Sequence, residues 1–376
     1  SRGLGDVYKR QGLSSMDDEA QFMRRAIEIA ERGRHRVMPN PLVGCVLVKD
    51  GKIIAEGWHD HIGGLHAEQM AIADAEAKGV ATQGSTAYVT LEPCNHFGRT
   101  PPCTEALLWA GVKRVVIGAD DPNPTVRGDG ASALEKSDVE VESGLLVEEC
   151  GQQMREFMHW CENMRPEVLL KAAIDVNGRV DCDPNEPAQR FSSPESLEIV
   201  HALRADSMAI LVGVDTVVRD DPSLTVRGPD MGPRKPPTRV VIDPSGRLPS
   251  DCKLLNDGEA PTLIIHAEPF ELPNTDAEHV ERAILSASEG EITIARILDY
   301  LGDRGIQSLL VEGGPNTWRR FLAEGLVDRA HLCQSPVELS GKGTVFSENN
   351  LSSAGLRKVR QIDVGGDRIS HWRRED

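Results

Sequence analysis

The spacing of apolar residues in the first part of the chain changes repeatedly between a helical and a strand period. From Met16 apolar side chains recur at helical spacing until Gly33, which predicts a helix. Residues 39–59 predict two short strands joined by a turn at Asp50 and Gly51. The pattern continues as a helix over 66–79, a strand over 85–93, a helix over 103–111 and a strand over 112–122. This alternation indicates a three-layer α/β domain.

The same kind of pattern restarts in the second part of the chain. Residues 145–166 predict a helix that ends at Pro166, and residues 167–180 predict a strand and a turn. Further strands are predicted over 207–213, 238–246, 261–267 and 307–314, with helices over 194–205 and 316–326. We therefore expect a second α/β unit and place the boundary near residues 161–166, between domains over 16–160 and 166–376.

Composition and charge limit the kinds of molecule that the protein is expected to bind and the compartment in which it is expected to lie. The 376 residues include 42 basic and 59 acidic side chains, so the net charge of −17 argues against non-specific binding to nucleic acid or to an anionic membrane. No apolar run is long enough to cross a bilayer. Eight scattered cysteines favour a reducing compartment, and we expect a cytoplasmic protein. Residues 1–15 have no consistent period and are interpreted as a non-native leader.

Four residues with metal chemistry form an H-x-E and C-x8-C set. His66, Cys94 and Cys103 supply three zinc ligands and leave one tetrahedral position for water. Zinc lowers the pKa of bound water to roughly 7, and Glu68, two residues from a ligand, is placed to accept its proton and pass it to leaving ammonia. Cys103 is expected at a helix start, where the helix dipole favours a thiolate.

Other interpretations of these four residues remain open. A histidine before Ala-Glu is often an ordinary helix start, and scattered cysteines are often small core residues. A structural zinc site would need a fourth ligand and no particular glutamate. The eight residues between Cys94 and Cys103 include His96, Arg99 and Thr100 with two stiffening prolines. Such a loop is suited to holding a phosphorylated sugar beside a base, although it is also compatible with simple loop decoration.

These segments resemble the bifunctional deaminase/reductase family of riboflavin biosynthesis. The matching stretches in the first half are "PNPLVGCVLV", "GWHDHIGGLHAE", "YVTLEPCNHFGRTPPCTEAL" and "GADDPNPTVRGDG". Those in the second half include "LLKAAIDVNGRV", "RVVIDPSGRLP" and "LLVEGGPNTWRRFLAEGLVD". The resemblance implies a cytidine-deaminase-like three-layer α/β/α domain followed by a dihydrofolate-reductase-like α/β domain, and Zn²⁺ and NADPH as cofactors.

The resemblance also implies roles for residues of the first half. His66, Cys94 and Cys103 bind zinc, and Glu68 is the proton shuttle. Substrate contacts are implied for Asn40, His59, His96, Arg99, Asp121 and Asn123. Asn40 and Asn123 each lie beside prolines on restricted turns, where an amide could read a pyrimidine edge, but ordinary turn chemistry explains them almost equally well.

The second half carries a weaker signal of its own. "LLVEGGPNTW" is typical of a buried strand, a glycine turn and a helix start, and the free N–H groups of a helix start suit dinucleotide phosphates. We interpret "TVVRDDPSLTVR" as part of an active-site loop, although its aspartate pair alone indicates only a solvated turn. By resemblance, NADPH contacts are expected at Lys171, Ala173, Phe191, Thr216, Asp220 and Gly314. Substrate contacts are expected at Leu224, at Arg227 for its phosphate and at Glu312 for its sugar hydroxyls.

The second half also departs from the family pattern. Asp175 stands where a small hydroxyl residue is usual, and a carboxylate there is expected to repel the NADPH phosphates. Asn177 and Phe191 replace the usual Asp and Trp, and "SPVELSGKG" lacks the usual Lys. Because of these changes, a protein with deaminase activity but no reductase activity remains an alternative.

The resemblance implies two consecutive reactions on one small-molecule substrate. The first is zinc-dependent hydrolytic deamination of the phosphoribosylated pyrimidine 2,5-diamino-6-(5-phosphoribosylamino)pyrimidin-4-one. The second is reduction of its ribosyl side chain to ribityl by NADPH, in a homo-oligomer that is a dimer or a tetramer. A deaminase with a degenerate reductase-like domain is one alternative. A zinc-stabilised nucleic-acid-binding or tRNA-editing protein is another, against which the acidic charge argues.

Overall fold

The computed structural model describes residues 19–96, 101–123, 127–183, 188–270, 277–288 and 290–375. They form two compact units. The first runs to Glu162, and Gly232–Arg234 is grouped with it; the second comprises Asn163–Met231 and the residues from Lys235 onward. The predicted leader, residues 1–15, lies outside the described residues. Within the described residues, no helix combines the length and the apolar content needed to span a bilayer.

The first unit is built on a five-stranded sheet. Its strands are β1 Gly44–Lys49, β2 Lys52–Trp58, β3 Thr86–Leu91, β4 Arg114–Ala119 and β5 Glu140–Ser143, in the order β2-β1-β3-β4-β5. β1 pairs antiparallel with β2 and β3, whereas β3, β4 and β5 are parallel. The predicted hairpin turn at Asp50 and Gly51 is confirmed, since both residues have positive φ angles.

Helices cover both faces of this sheet. They are α1 over residues 19–30, α2 Ala67–Ala77, α3 Cys103–Trp109, α4 Asp129–Glu135, α5 Val147–Gln153 and α6 Arg155–Asn163. Alternate strand residues enter two separate cores, because successive side chains of a strand point to opposite faces. Ile117 packs with α2, α3 and α4, whereas Val116 packs with α1 and α5. The predicted three-layer α/β/α arrangement is confirmed.

Two features of the first unit differ from the sequence prediction. The single helix predicted over 145–166 is two helices, because Met154 leaves the helical conformation with φ −112° and ψ 20°. Gly151, a poor helix former, lies in the last turn before this break. The apolar period also gave no prediction for α4 and β5, which are short and lie in a polar stretch.

The second unit is built on a nine-stranded mixed sheet. Its strands are β6 Glu167–Ile174, β7 Ala209–Gly213, β8 Thr238–Ile242, β9 Thr262–Ala267, β10 Val280–Leu285, β11 Ser308–Val311, β12 Arg329–Gln334, β13 Leu356–Val364 and β14 Asp367–Arg374. The order is β10-β9-β8-β7-β11-β6-β12-β14-β13. The strands from β10 to β12 are parallel, and β14 and β13 continue the sheet antiparallel.

The helices of the second unit are α7 Pro194–Ala205, α8 Val214–Asp220, α9 Lys253–Asn256, α10 Ile294–Asp303, α11 Pro315–Ala323 and α12 Glu348–Ser353. Leu170 and Ala172 of β6 enter the core formed with α10 and α11, whereas Leu169 enters the opposite core. Lys171 and Ala173 share the face of Leu169, because strand residues alternate between faces. The segment that we predicted as an active-site loop from Thr216 begins inside α8 instead. The elements of this unit that were not predicted are β10, β12, β13, β14, α8, α9, α10 and α12.

Gly57 of β2 allows α2 to lie close against the sheet. A Cβ atom at this position would lie 2.2 Å from the backbone nitrogen of Ala71 and 2.3 Å from the carbonyl oxygen of Ala67. Both contacts are with helix backbone, which cannot rotate away as a side chain can. The absence of a side chain at Gly57 thus sets how closely the helix that begins after His66 approaches the sheet.

We expect Gly57→Ala to lower the free energy of unfolding by about 1–3 kcal/mol, because the added methyl group overpacks α2 against β2. Differential scanning calorimetry measures this as a lower melting temperature. Gly151→Ala is the matched control, since a Cβ there has nothing within 4 Å and alanine favours the helix. Equal melting temperatures for the Gly57→Ala variant and the wild type would contradict this account of the packing.

Candidate active sites

Three side chains of the first unit converge as a candidate metal centre. The Nδ1 atom of His66 lies 3.2 Å from Cys103 Sγ and 3.6 Å from Cys94 Sγ. One ligand atom from each residue lies within 4.8 Å of the others. A nitrogen and two sulfurs are the donor set that zinc prefers, and three protein ligands leave a fourth tetrahedral position open. The predicted ligands are thus brought together, and their chemistry fits zinc.

The eight residues between the two cysteines do not separate their sulfurs. Cys94 follows β3 and Cys103 is the first residue of α3, as predicted. The backbone N–H of Cys103 donates to Cys94 Sγ at 3.4 Å, and the N–H of Thr104 donates to the Cys94 carbonyl at 3.2 Å. The backbone at Cys103 therefore lies next to Cys94, although eight residues separate the two in the sequence. Hydrogen bonds with Cys103 and His66 hold the pKa of the Cys94 thiol below its ordinary value.

Glu68 lies in the first turn of α2 beside this triad. Its side chain is buried, and burial raises the pKa of its carboxyl group above the ordinary value. His66 immediately precedes α2, and its backbone N–H is capped by Gln69 Oε1 at 3.2 Å. The helix start thus carries both a metal ligand and a buried acid. A carboxyl group in this position is suited to exchanging a proton with a reacting molecule.

A cavity of about 250 Å³ opens beside the triad and Glu68. Four of the predicted substrate contacts line it, namely Asn40, His59, His96 and Asp121. Asn123 does not line it, and its backbone N–H donates to Asp121 Oδ1 at 2.9 Å. Arg99 and Thr100 lie outside the described residues. Phe157 of α6 also lines the cavity and was missed, because no local motif connects that helix with the metal ligands.

Glu92 is a second residue that the sequence reasoning missed. Its buried carboxylate accepts four backbone N–H groups, from Asp121, Gly128, Gly130 and Ala131, at 3.0–3.1 Å. Glu92 is two residues before the ligand Cys94. The carboxylate therefore fixes the segment that carries Asp121 to the turn that carries a metal ligand. Burial raises the pKa of Asp121 above its ordinary value.

The second unit holds a cleft of about 330 Å³ beside the ends of β7 and β11. All nine predicted contacts of this unit line it: Lys171, Ala173, Phe191, Thr216, Asp220, Leu224, Arg227, Glu312 and Gly314. A smaller cavity of about 170 Å³ shares Thr216, Arg219 and Gly314 with it and continues along the start of α11. A cleft with this extension, next to a helix N-terminus and arginine side chains, fits an elongated anionic dinucleotide.

Glu312 is held in the cleft by a partner that was not predicted. Arg204 of α7 donates to both carboxylate oxygens of Glu312, at 2.6 and 2.8 Å, and to the carbonyl of Thr225 at 2.9 Å. Burial alone would raise the pKa of Glu312, but the charge and hydrogen bonds of Arg204 hold it below its ordinary value. Glu312 is therefore an oriented, charged acceptor. No local motif connects Arg204 with Glu312, because the two residues are 108 positions apart in the sequence.

Two other predicted cofactor contacts are also engaged within the chain. Asp220 accepts from Arg219 at 2.9 and 2.7 Å and from the backbone N–H of Ala188 at 2.8 Å. The hydroxyl of Thr216 accepts the backbone N–H of Gly314 at 3.2 Å. α8 is thereby connected to the start of α11, and Arg219 compensates the negative charge of Asp220 in the cleft.

The expectation that Asp175 would repel the cofactor phosphates is wrong. The Asp175 side chain is fully buried and does not line either cavity of the second unit. It accepts the backbone N–H groups of Asn177, Arg179 and Leu339 at 2.7–2.9 Å. Burial would raise its pKa, but these hydrogen bonds hold the pKa below the ordinary value. The carboxylate stabilises the turn after β6 and does not meet the cleft.

Comparison with known families identifies both units. The cytidine and deoxycytidylate deaminase zinc-binding region matches residues 16–119, and the RibD C-terminal domain matches residues 166–367. The chain is thus a bifunctional enzyme with a zinc-binding deaminase domain and a reductase domain of the NADPH-using type. The riboflavin biosynthesis protein RibD of Aquifex aeolicus is 36% identical over 361 residues, which cover 95% of this chain and 98% of that protein. The chain belongs to the RibD family of riboflavin biosynthesis enzymes.

Other relatives extend this likeness over nearly the whole chain. RibD of Escherichia coli K12 is 36% identical over 372 residues, covering 95% of this chain and 99% of that protein. The structure of Acinetobacter baumannii RibD superposes with a TM-score of 0.83 at 32% identity, covering 96% of this chain and 100% of that one. A Thermotoga maritima deaminase/reductase gives 0.82 at 35% identity, covering 96% and 99%. The predicted family, fold class and cofactors are confirmed.

We expect Cys103→Ser to lose most of the bound zinc, because a serine hydroxyl does not ionise to replace the thiolate ligand. Elemental analysis of purified protein measures the zinc-to-protein ratio. Cys161→Ser is the matched control, since Cys161 is a partly buried cysteine of the same unit outside the triad. A wild-type zinc content in the Cys103→Ser protein would contradict the assignment of this ligand.

Proposed function

We propose that the first unit hydrolytically deaminates 2,5-diamino-6-(5-phosphoribosylamino)pyrimidin-4-one and that the second unit then reduces its ribosyl side chain to ribityl with NADPH. The observation that carries the proposal is the grouping of His66, Cys94, Cys103 and Glu68 at one cavity. The Thermotoga maritima relative is a diaminohydroxyphosphoribosylaminopyrimidine deaminase/5-amino-6-(5-phosphoribosylamino)uracil reductase, which supports the substrate and the order of the two steps.

In the deaminase, His66, Cys94 and Cys103 would hold the zinc ion, which when bound supplies the Lewis acidity that activates water. Glu68 accepts the proton of the attacking water and donates it to the departing amino group. A carbon–oxygen bond forms, the carbon–nitrogen bond breaks and ammonia leaves. The buried position of Glu68 beside the metal ligands supports this exchange, and burial raises the pKa of its carboxyl group.

We propose that polar side chains around the cavity bind the substrate. Asn40, His59, His96 and Asp121 line the cavity, and this supports their assignment. Asn123 would act through the turn that it forms with Asp121. Arg99 is proposed as a phosphate contact from its place in the loop between the two cysteines.

In the reductase, NADPH when bound supplies the hydride. We propose that Thr216, Gly314 and Asp220 bind the cofactor together with Lys171, Ala173 and Phe191, and that Leu224, Arg227 and Glu312 bind the substrate. The oriented carboxylate of Glu312 is suited to accepting hydrogen bonds from sugar hydroxyls. Arg227 is assigned to the phosphate. The buried position of Asp175 removes one reason for expecting an inactive second unit.

We propose further that the domains extend over 16–160 and 166–376 and that the protein is a cytoplasmic homo-oligomer, a dimer or a tetramer. The eight cysteines are free thiols, as expected in a reducing compartment. Val176, Val337 and Val345 are exposed apolar residues of the second unit, which supports self-association. Light scattering during size-exclusion chromatography measures the mass, and a monomer would contradict the oligomeric proposal.

The two half-reactions can be tested separately on purified, zinc-loaded protein. Incubation with the phosphoribosylated diaminopyrimidine is expected to release ammonia with or without NADPH, and to oxidise NADPH only when the substrate is present. Ammonia release without NADPH oxidation would show that the protein is a deaminase without reductase activity. If the protein neither releases ammonia nor oxidises NADPH, the proposed substrate is wrong.

We expect Glu68→Gln to abolish ammonia release while keeping zinc bound, because the amide cannot accept and return a proton. Ammonia is measured by a coupled assay and zinc by elemental analysis. Glu76→Gln, at an exposed position of the same helix, is the matched control. Turnover at the wild-type rate in Glu68→Gln would refute the role of this carboxyl group.

We expect Arg204→Met to reduce kcat/KM for NADPH oxidation by about a hundredfold, because removing one partner of a buried ion pair costs about 3 kcal/mol. Ammonia release by the same variant is expected to stay unchanged, since Arg204 lies in the second unit. Arg296→Met, at an exposed position of α10, is the control. Unimpaired NADPH oxidation in Arg204→Met would show that the orientation of Glu312 is unimportant.

A further inference from the structure

Asn40 contributes an amide to the deaminase cavity, and a neighbouring residue sets its orientation. Asn40 Nδ2 lies 3.0 Å from His59 Nε2. Within the described part of the chain, His59 is the one hydrogen-bond partner of the Asn40 side chain. Asn40 is half-buried and lines the cavity, whereas His59 is only 4% exposed. The amide thus has one side toward a buried imidazole and the other side available to a ligand.

The contacts of the imidazole determine which of its nitrogens carries the hydrogen. His59 Nδ1 lies 2.9 Å from the carbonyl oxygen of Leu65. A carbonyl oxygen can only accept, so Nδ1 is the donor, and in the neutral ring Nε2 is left with a lone pair. Asn40 must therefore donate to it through Nδ2. This fixes the orientation of the amide and leaves its Oδ1 atom as a free acceptor, with the second Nδ2 hydrogen as a free donor.

Both ring nitrogens of His59 are used within the protein. Nδ1 bonds the backbone just before the metal ligand His66, and Nε2 bonds Asn40. The ring also packs edge-on against the His66 ring, with centroids 5.6 Å apart. His59 therefore has no free hydrogen-bonding atom for a substrate, and its hydrogen bond toward the cavity goes to Asn40.

We infer that His59 is a positioning residue for the deaminase, which locks the Asn40 amide so that the cavity presents a hydrogen-bond acceptor to an N–H group of the aminopyrimidine. This inference rests on the proposed function and refines the assignment of His59 as a direct contact. It also fixes the pattern that the cavity presents at this position, because Oδ1 can only accept a hydrogen bond and the second Nδ2 hydrogen can only donate one.

The inference is tested by a double-mutant cycle on the zinc-loaded full chain with the phosphoribosylated diaminopyrimidine. We expect His59→Phe to raise KM about fivefold, the typical effect of one net hydrogen bond, because the Asn40 amide is free to rotate. The kcat should change less and the zinc content should stay at the wild-type level. His61→Phe is the matched control, since His61 is partly exposed, bonds Asp60 and does not line the cavity.

The second arm of the cycle uses Asn40→Ala. If His59 acts only through Asn40, adding His59→Phe to Asn40→Ala should raise KM no further. If His59 contacts the substrate itself, the two losses multiply, and that result overturns the inference. An unchanged KM in His59→Phe alone overturns it as well.

A conservative variant separates positioning from a structural role. His59→Gln offers a carbonyl oxygen to the Asn40 amide. Its KM is therefore expected to lie between those of the wild type and His59→Phe. It also serves in the cycle should His59→Phe not fold. Loss of zinc in both variants would show a structural role and overturn the inference. A wild-type protein that releases no ammonia would overturn the proposed function, whereas an active wild type with multiplying losses overturns this inference alone.

Discussion

The deaminase site depends on the convergence of three ligand atoms from three chain segments. The end of β3 places Cys94, the start of α3 places Cys103, and the residue before α2 is His66. These segments are held by backbone contacts: α2 lies close to β2 at Gly57, and the Thr104 N–H bonds the Cys94 carbonyl. Because backbone carries these contacts, the donor atoms are preorganised and little ordering is needed when a metal binds.

Both sites orient a polar group with a second, buried polar group. In the deaminase cavity His59 bonds Asn40, and the Glu92 carboxylate accepts the backbone N–H of Asp121. In the reductase cleft Arg204 bonds both oxygens of Glu312. Such pairs leave the group that faces the cavity with a defined set of donors and acceptors. A defined set of this kind permits discrimination between similar substrates.

The sequence predicted what is encoded locally. The spacing of His66, Glu68, Cys94 and Cys103 indicated the metal centre, and the resemblance brought together the nine residues of the reductase cleft. Arg204, Phe157 and Glu92 were missed because their roles depend on partners that are distant in the chain. Asp175 was misjudged because a motif gives the residue type but not the direction of its side chain. In the structure, backbone N–H groups of the turn after β6 bind the carboxylate. The break at Met154 and the short elements β5 and α4 carry too few periodic residues to be predicted.

The strand order of the second unit has a consequence for biosynthesis. β6 is the first strand of that unit to leave the ribosome, yet its two neighbours in the sheet, β11 and β12, are made only after β7, β8, β9 and β10. Both edges of β6 therefore stay unpaired until these later strands have emerged. Pairings between such distant segments form slowly, and exposed strand edges attract other nascent chains. The N-terminal sheet has its partners at hand much earlier, so co-translational assembly would proceed from the deaminase to the reductase.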